Sequence, residues 1–439
     1  MIDPLRLLGG RVIDPASGTD RVQDLWVDER GVHDSPPAGF AEKAVTDLAG
    51  MVVSPAFVEI HAHLREPGGE ESETIASGCA AARAGGYGHV LAMANSPRTN
   101  DDPEVTRYVL AAAAASGTGV TVHPVTAATM GLAGRVEAPW REQVAAGCVA
   151  ISDDGKPVSD PRMLEAVLRA TAGLGVPYLS HAECPEHFRG PIHDGAAARQ
   201  FGVTGIPTSC EWEAVRREID VAERTGGRLH VCHVSTRESL SALEQARARG
   251  VAASGEATPH HLLLTDAAFL ERGPDPNLKM NPPLRPAAER DALREALRSG
   301  LVSCVATDHA PHAPRLKARG LPDAPFGVIG MESAFAVLHE DLVVRSGWPI
   351  GLLVERMTLG PARAAGLRGA GHLFEGPPRL AVLDPSAPWE VRSESFQSRS
   401  RNCPFEGWRG AGRVVATFLG DRLVRSGAPG ASGIARVSS

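Results

Sequence analysis

A chain of 439 residues is too long for one simple core and suits one large domain with a smaller companion. The formal net charge of -7 and the lack of any long basic run argue against nucleic acid as a partner, and no stretch approaches the ~18 continuous apolar residues of a membrane span. Met1-Ile2-Asp3-Pro4 lacks the charged start and apolar core of a signal peptide, and the seven cysteines are odd in number and scattered through apolar runs, so the chain reads as a cytoplasmic protein with buried free thiols.

Residues 1–54 hold short apolar runs such as Arg11-Val12-Ile13 and Asp24-Leu25-Trp26-Val27, separated by Gly, Pro and Asp, and read as a small β unit. The same texture returns in 370–439, with Leu380-Ala381-Val382-Leu383 and Arg413-Val414-Val415-Ala416-Thr417-Phe418, so the two ends are expected to form one β-sandwich. Between them, over 55–369, apolar runs alternate with Ala- and Arg-rich helical segments, the pattern of repeated βα units. Candidate strands end at His61/His63, Asn95, Val125-Thr126, Asp153, His181, His233, Glu256 and Asp308. Candidate helices run Thr74–Ala84, Pro103–Ala115, Pro161–Ala172, Glu211–Arg224, Arg237–Arg249 and Ala287–Leu297. Eight such units predict an α/β fold, a (β/α)8 TIM-type barrel whose chemistry sits at the C-terminal ends of its strands. An open doubly wound sheet is the rival, but no Gly-x-Gly-x-x-Gly follows the first strand.

The centre of the pattern is Val58-Glu59-Ile60-His61-Ala62-His63-Leu64-Arg65. On a strand, residues i and i+2 face the same side, so His61 and His63 can reach one metal ion, and Arg65 would face that side too. Alone, a His-x-His pair is as readily a strand-end decoration. His181 and His233 also end apolar runs, and four convergent imidazoles suit Zn²⁺. Asp308 ends Val302-Ser303-Cys304-Val305-Ala306-Thr307 and can both ligate a metal and accept a proton from activated water; its plain alternative is a helix N-cap. Asp153, in Ile151-Ser152-Asp153-Asp154-Gly155-Lys156, could bridge two cations, although locally the stretch reads as an Asp-Asp-Gly turn.

The stretches Pro55–Pro67, Met93–Ser96, Ser152–Val158, Cys232–Thr236, Thr258–Thr265, Lys279–Arg285, Ala306–Pro314, Pro325–Gly327 and Ser400–Trp408 together resemble the longer type of bacterial dihydroorotase, in the amidohydrolase superfamily, in the family's order along nearly the whole chain. The resemblance implies that His61, His63 and Asp308 hold one zinc and His181 and His233 a second, with Asp153 bridging: one or two ions per chain, two expected. Relatives acting on hydantoins, dihydropyrimidines or allantoin usually bridge with a carboxylated lysine. None of Lys43, Lys156, Lys279 and Lys317 ends the fourth strand, which favours the aspartate-bridged type. Arg65, Asn95 and His312 would hold the substrate carboxylate, and Asn281, Phe326 and Gly327 would contact the pyrimidine ring.

What the resemblance implies is a zinc-dependent hydrolase interconverting (S)-dihydroorotate and N-carbamoyl-L-aspartate in pyrimidine synthesis, a homodimer with a small anionic substrate and aspartate transcarbamoylase as a possible partner. The rivals are a hydantoinase- or allantoinase-type enzyme and a non-catalytic scaffold for aspartate transcarbamoylase. The chain departs from the family where Met93-Ala94-Asn95-Ser96 replaces Met-Pro-Asn-Thr and His181-Ala182-Glu183-Cys184 replaces His-Cys-Glu-Asp.

Overall fold

The computed structural model describes residues 3–420, 423–425 and 436–437, so part of the expected C-terminal β segment, residues 421–422, 426–435 and 438–439, lies outside the described residues. Eight parallel strands follow one another around a barrel: Phe57–Ala62, Tyr87–Ala92, Thr121–Thr126, Ala150–Ile151, Tyr178–Ser180, Leu229–Val231, Ala253–Ala257 and Cys304–Val305. Each matches one expected strand, and each ends within a few residues of the polar group singled out in sequence. The barrel closes between its first and last strands. Ala62 pairs in parallel with His309, and the His63 amide donates to the His309 carbonyl at 2.8 Å. Buried Glu59 adds a side-chain clasp, its Oε1 accepting the amides of His61 at 2.9 Å and Thr307 at 3.0 Å.

Local chemistry starts the outer helices where the sequence suggests. Asp102 and Asp160 cap the amides of Glu104 and Arg162, and Pro103 and Pro161 occupy first-turn positions where no amide donor is needed. Thr74 and Ser77 form a reciprocal capping box that opens the Ile75–Ala84 helix just past the His61 strand. Val58, Leu91, Val125, Ala150, Leu179 and Cys304, from successive barrel strands, pack as one buried cluster with Ala362 and Ala365 of the Leu359–Ala365 helix. All seven cysteines are buried free thiols, as expected from their apolar settings.

The two ends of the chain do pair, in one nine-stranded mixed sheet. Leu5–Asp14 is its branch point: its first half pairs in parallel with Ala44–Asp47 and its second half with Val52–Pro55. Val52–Pro55 then pairs antiparallel with Arg379–Glu390, which pairs with Arg409–Leu419. Leu7, Val12, Leu25, Val27, Leu380, Val382 and Phe418 share a core separate from the barrel's. Val52–Pro55 runs almost directly into Phe57–Ala62, so the sheet is anchored beside the strand that carries His61. Among the described residues no helix is long and apolar enough to cross a membrane.

Candidate metal centre and substrate rim

Four imidazoles and two carboxylates meet at the C-terminal mouth of the barrel, all buried. Asp154 is central to them. Its Oδ1 lies 3.3 Å from His61 Nε2, 3.6 Å from His181 Nδ1 and 3.9 Å from His233 Nε2, and its Oδ2 lies 3.5 Å from His63 Nε2. Asp308 Oδ1 approaches His63 Nε2 at 3.0 Å and His61 Nε2 at 3.5 Å. These atoms form two overlapping triads, His61–His63–Asp154 and Asp154–His181–His233, each compact enough to hold one cation, with Asp154 shared. His61 Nε2 and Asp154 Oδ1 are fully buried and have no hydrogen-bond partner. Such orphaned groups are costly in a dry interior, and a bound cation would satisfy both. The donor set, imidazole nitrogen with carboxylate oxygen, fits zinc among the common ions.

Electrostatics keep the carboxylates ready to ligate. Burial opposes their ionisation, but the surrounding imidazoles, His61 foremost, hold the carboxyls of both Asp154 and Asp308 well below the usual range. The backbone is bent to bring the groups together. Arg65, His233 and Asp308 have φ of 59°, 36° and 47°, left-handed values that cost a non-glycine residue on the order of 1 kcal/mol or more each.

Four of the ligands, His61, His63, Asp154 and His181, are held by a second contact. His61 Nδ1 donates to Glu256 Oε1 at 2.6 Å, which turns Nε2 toward Asp154 as the atom that would ligate a cation. Glu256 Oε2 lies 3.0 Å from His230 Nε2, and His230 Nδ1 lies 2.8 Å from the Ser254 hydroxyl, so a chain of buried polar groups backs His61. Asn95 does the same for two ligands: its Oδ1 accepts from His63 Nδ1 at 2.7 Å, and its Nδ2 donates to Asp154 Oδ2 at 3.2 Å. Asn281 Nδ2 donates to Glu183 Oε2 at 2.7 Å and lies 3.0 Å from His181 Nε2.

Beyond the ligands stands a rim built from loops. The Arg65 Nε donates to the Pro311 carbonyl at 3.1 Å, and its Nη2 lies 3.4 Å from His312 Nε2, which donates to the Phe326 carbonyl at 2.6 Å. Burial pulls the Arg65 guanidinium down to about 10, which still leaves it charged at neutral pH, whereas burial and the nearby Arg65 push His312 down to about 2 and keep it neutral. Gly327 has φ +120°, and a Cβ there would stand 2.6 Å from the Ala310 Cβ, so only glycine fits the turn. Lys317 Nζ donates to the Pro276 and Pro325 carbonyls, both at 2.9 Å, and Lys279 Nζ lies 4.5 Å from the centre of the Phe326 ring. Asn402 closes the arch, donating to the Ala310 and Gly327 carbonyls and accepting from the His312 amide.

A family profile described as "Dihydro-orotase-like" matches residues 50–239. A curated dihydroorotase of Anaeromyxobacter sp. (strain K) is 43% identical over 434 residues, covering 97% of this chain and 98% of the relative. The chain belongs to the dihydroorotase family. A dihydroorotase of Desulforapulum autotrophicum is 39% identical over 426 residues, covering 96% and 98%. Among solved structures, an L-hydantoinase (dihydropyrimidinase) from Arthrobacter aurescens superposes with a TM-score of 0.84 at 22% identity over 97% of this chain and 96% of that one. A D-hydantoinase from Thermus sp. gives 0.82 at 24% identity, over 96% and 95%. At such identities the two hydantoinases speak for the fold.

Three expectations for a dihydroorotase drawn from the sequence are altered by the geometry. Asp153 does not face the other ligands. Its carboxylate accepts the Ala128 and Thr129 amides, at 2.7 and 3.0 Å, and the Thr129 hydroxyl. Asp154 takes the central place instead, because neighbouring residues leaving a strand point in opposite directions. Arg65 lies beyond the strand, which ends at Ala62, and reaches His312 through a left-handed turn rather than by strand alternation. The amide of Asn95 is spent on His63 and Asp154 rather than left open on the rim. Glu256, Glu183, Asn402, Lys317 and Asp154 were not singled out as site residues by the sequence. Glu256 stood there only as a strand end, Glu183 only in the His181–Cys184 departure and Lys317 only among the lysines, while Asp154 lay in the Asp-Asp doublet and Asn402 in the Ser400–Trp408 stretch.

Proposed function

We propose that this chain interconverts (S)-dihydroorotate and N-carbamoyl-L-aspartate, using one or two zinc ions held by His61, His63, Asp154, His181, His233 and Asp308. The observation that carries the metal reading is the pair of buried, unpartnered atoms His61 Nε2 and Asp154 Oδ1, 3.3 Å apart amid the other ligands. The substrate reading is supported by near full-length identity of about two fifths to proteins named dihydroorotase. When bound, zinc polarises a carbonyl and lowers the pKa of water to near 7, so that hydroxide is available at neutral pH.

The chain's own groups account for the rest of the reaction. Water adds its oxygen to the ring amide carbon, the bond from that carbon to the ring nitrogen breaks, and a carboxylate and a ureido group result. Asp308, ionised and beside His63, takes the proton of the attacking water and returns it to the departing nitrogen. Arg65 meets the substrate carboxylate with a charged fork, and neutral His312 adds a dipole without competing charge. Phe326 and Gly327 form the wall against the ring, and Asn281 orients His181 from the same side. Asn95 serves by fixing His63 and Asp154.

The test is one assay series on purified protein with dihydroorotate, hydantoin and allantoin, combined with metal analysis. The expected outcome is preferential turnover of dihydroorotate, between one and two zinc ions per chain, and loss of activity on chelation. Full activity in metal-free protein, or a preference for hydantoin or allantoin, would overturn the reading. Absence of turnover on all three substrates in metal-loaded protein would instead favour a scaffold.

A further inference from the structure

At the end of the barrel opposite the metal centre, Pro177, Arg228, Ala252 and Ser303, each just before a strand, open onto a cavity of about 550 Å³. That volume falls within the range of small-molecule sites, roughly 300–1,000 Å³. In this fold the N-terminal mouth is ordinarily a matter of stability rather than chemistry. Here it gathers four guanidinium groups, Arg228, Arg247, Arg356 and Arg363, against a single carboxylate, Glu355.

Only Arg356 pairs with that carboxylate, its Nη1 donating to Glu355 Oε1 at 3.0 Å. The remaining bonds go to neutral carbonyls, which satisfy donors without cancelling charge. Arg228 donates to Gly175 and Ala364 at 3.3 and 3.4 Å, Arg247 to Gly300 at 3.1 Å, and Arg356 Nε to Leu297 at 2.9 Å. Among the described residues Arg228, Arg247 and Arg363 form no ion pair, and the Arg363 side chain has no hydrogen-bond partner. A concave wall with three uncompensated cations, in a chain of net charge -7, focuses positive potential and attracts an anion. Guanidinium forks match a phosphate group bidentately, and the cavity has room for more than the phosphate itself.

We infer that this arginine-lined cavity binds a phosphate-bearing small anion at a site separate from the metal centre. The experiment is isothermal titration of the metal-loaded protein at low salt with inorganic phosphate and with ribose 5-phosphate, using ribose as the uncharged control. Saturable one-to-one binding is expected, weakened at least about tenfold by Arg363→Glu and by Arg247→Ala, falling with added salt and unaffected by N-carbamoyl-L-aspartate. Unfolding midpoints equal to that of the parent protein would show that both variants are folded. Tighter binding of ribose 5-phosphate would assign the site to a phosphate with an organic body, and equal binding to the free oxyanion. Either result sustains the site. No saturable binding of either anion, binding unchanged in both variants, or displacement by N-carbamoyl-L-aspartate would overturn it.

Discussion

The candidate active site has two halves built on different principles. The metal-facing half is a product of strands: His61, His181 and His233 leave strand ends, and buried acidic or amide groups fix their second nitrogens or their backbone, as Glu256 does for His61 and for the amide of His233. The rim that faces the substrate is a product of loops. Arg65, His312 and Phe326 are held by backbone carbonyls, by two lysines and by Asn402, which comes from a segment about ninety residues further along the chain than His312. A metal needs several donors held at once to within a fraction of an ångström, which rigid elements supply, whereas discrimination between substrates can be left to an arch of adaptable segments.

The largest expected effect separates two neighbouring aspartates within the metal-facing half. Asp154→Asn removes the shared carboxylate, and the protein is expected to lose most of its bound metal and its turnover of dihydroorotate. Asp153→Asn disturbs only the bonds to Ala128 and Thr129, so it should keep its metal and pay in stability, by about 1–3 kcal/mol for a disrupted buried hydrogen-bond set. Metal content by mass spectrometry and unfolding by denaturant would decide between them. The reverse pattern, with metal lost in Asp153→Asn and retained in Asp154→Asn, would restore Asp153 as the bridge.

Asp308→Asn comes next, because it keeps the shape and removes the proton acceptor. With metal loaded, kcat should fall by about 10²–10⁴, the range for losing general acid–base help. Near-normal kcat would move the base elsewhere. On the rim, Arg65→Met should lower kcat/KM for dihydroorotate by about 10²-fold or more, since a charge-assisted bond is worth roughly 1.5–3 kcal/mol and the stranded anion adds a desolvation cost. Residual activity on a ring without a carboxylate should change far less. Equal losses on both rings would mean that Arg65 supports the metal half or the fold, and the division between the halves would fail.

That division also explains what could be read from sequence. Period-two alternation and apolar runs located all eight barrel strands and the polar residue at the end of each, because a strand fixes where its side chains point. The same reasoning placed Arg65 on the metal-facing side for the wrong cause, since its left-handed turn comes from closure against His309 and the Pro311 loop, contacts some 245 residues distant. The bridging place given to Asp153 came from the family resemblance, because two adjacent carboxylates at a strand end carry no local sign of which one turns inward. The terminal segments were legible as one β unit. That Leu5–Asp14 would serve as a fork, pairing in parallel with Ala44–Asp47 along its first half and with Val52–Pro55 along its second, is a long-range choice of partner that alternation does not reveal.

The smallest expected effect probes the buried support beneath the metal-facing half. Glu256 Oε1 accepts from His61 Nδ1 at 2.6 Å and from the His233 amide at 3.2 Å, while its Oε2 faces His230, so one carboxylate steadies ligands from both triads. Burial opposes its ionisation, yet His61 and His230 hold it down to about 2, and it remains an acceptor at every working pH. In Glu256→Gln the side chain keeps its volume, but its nitrogen can no longer accept from one of the two imidazoles. His61 then loses either its orientation or the tautomer that leaves Nε2 free. Metal affinity, measured by competition with a chromophoric chelator, should fall by about 10–100-fold, the usual cost of losing a partner behind a ligand. At saturating zinc, kcat should change much less, because no group that touches the substrate has been altered. Ser254→Ala, at the far end of the same chain of bonds, should produce a smaller loss of affinity in the same direction. Unchanged affinity in Glu256→Gln would mean that the barrel wall alone orients His61, and that strand geometry suffices for the metal-facing half without its buried carboxylate.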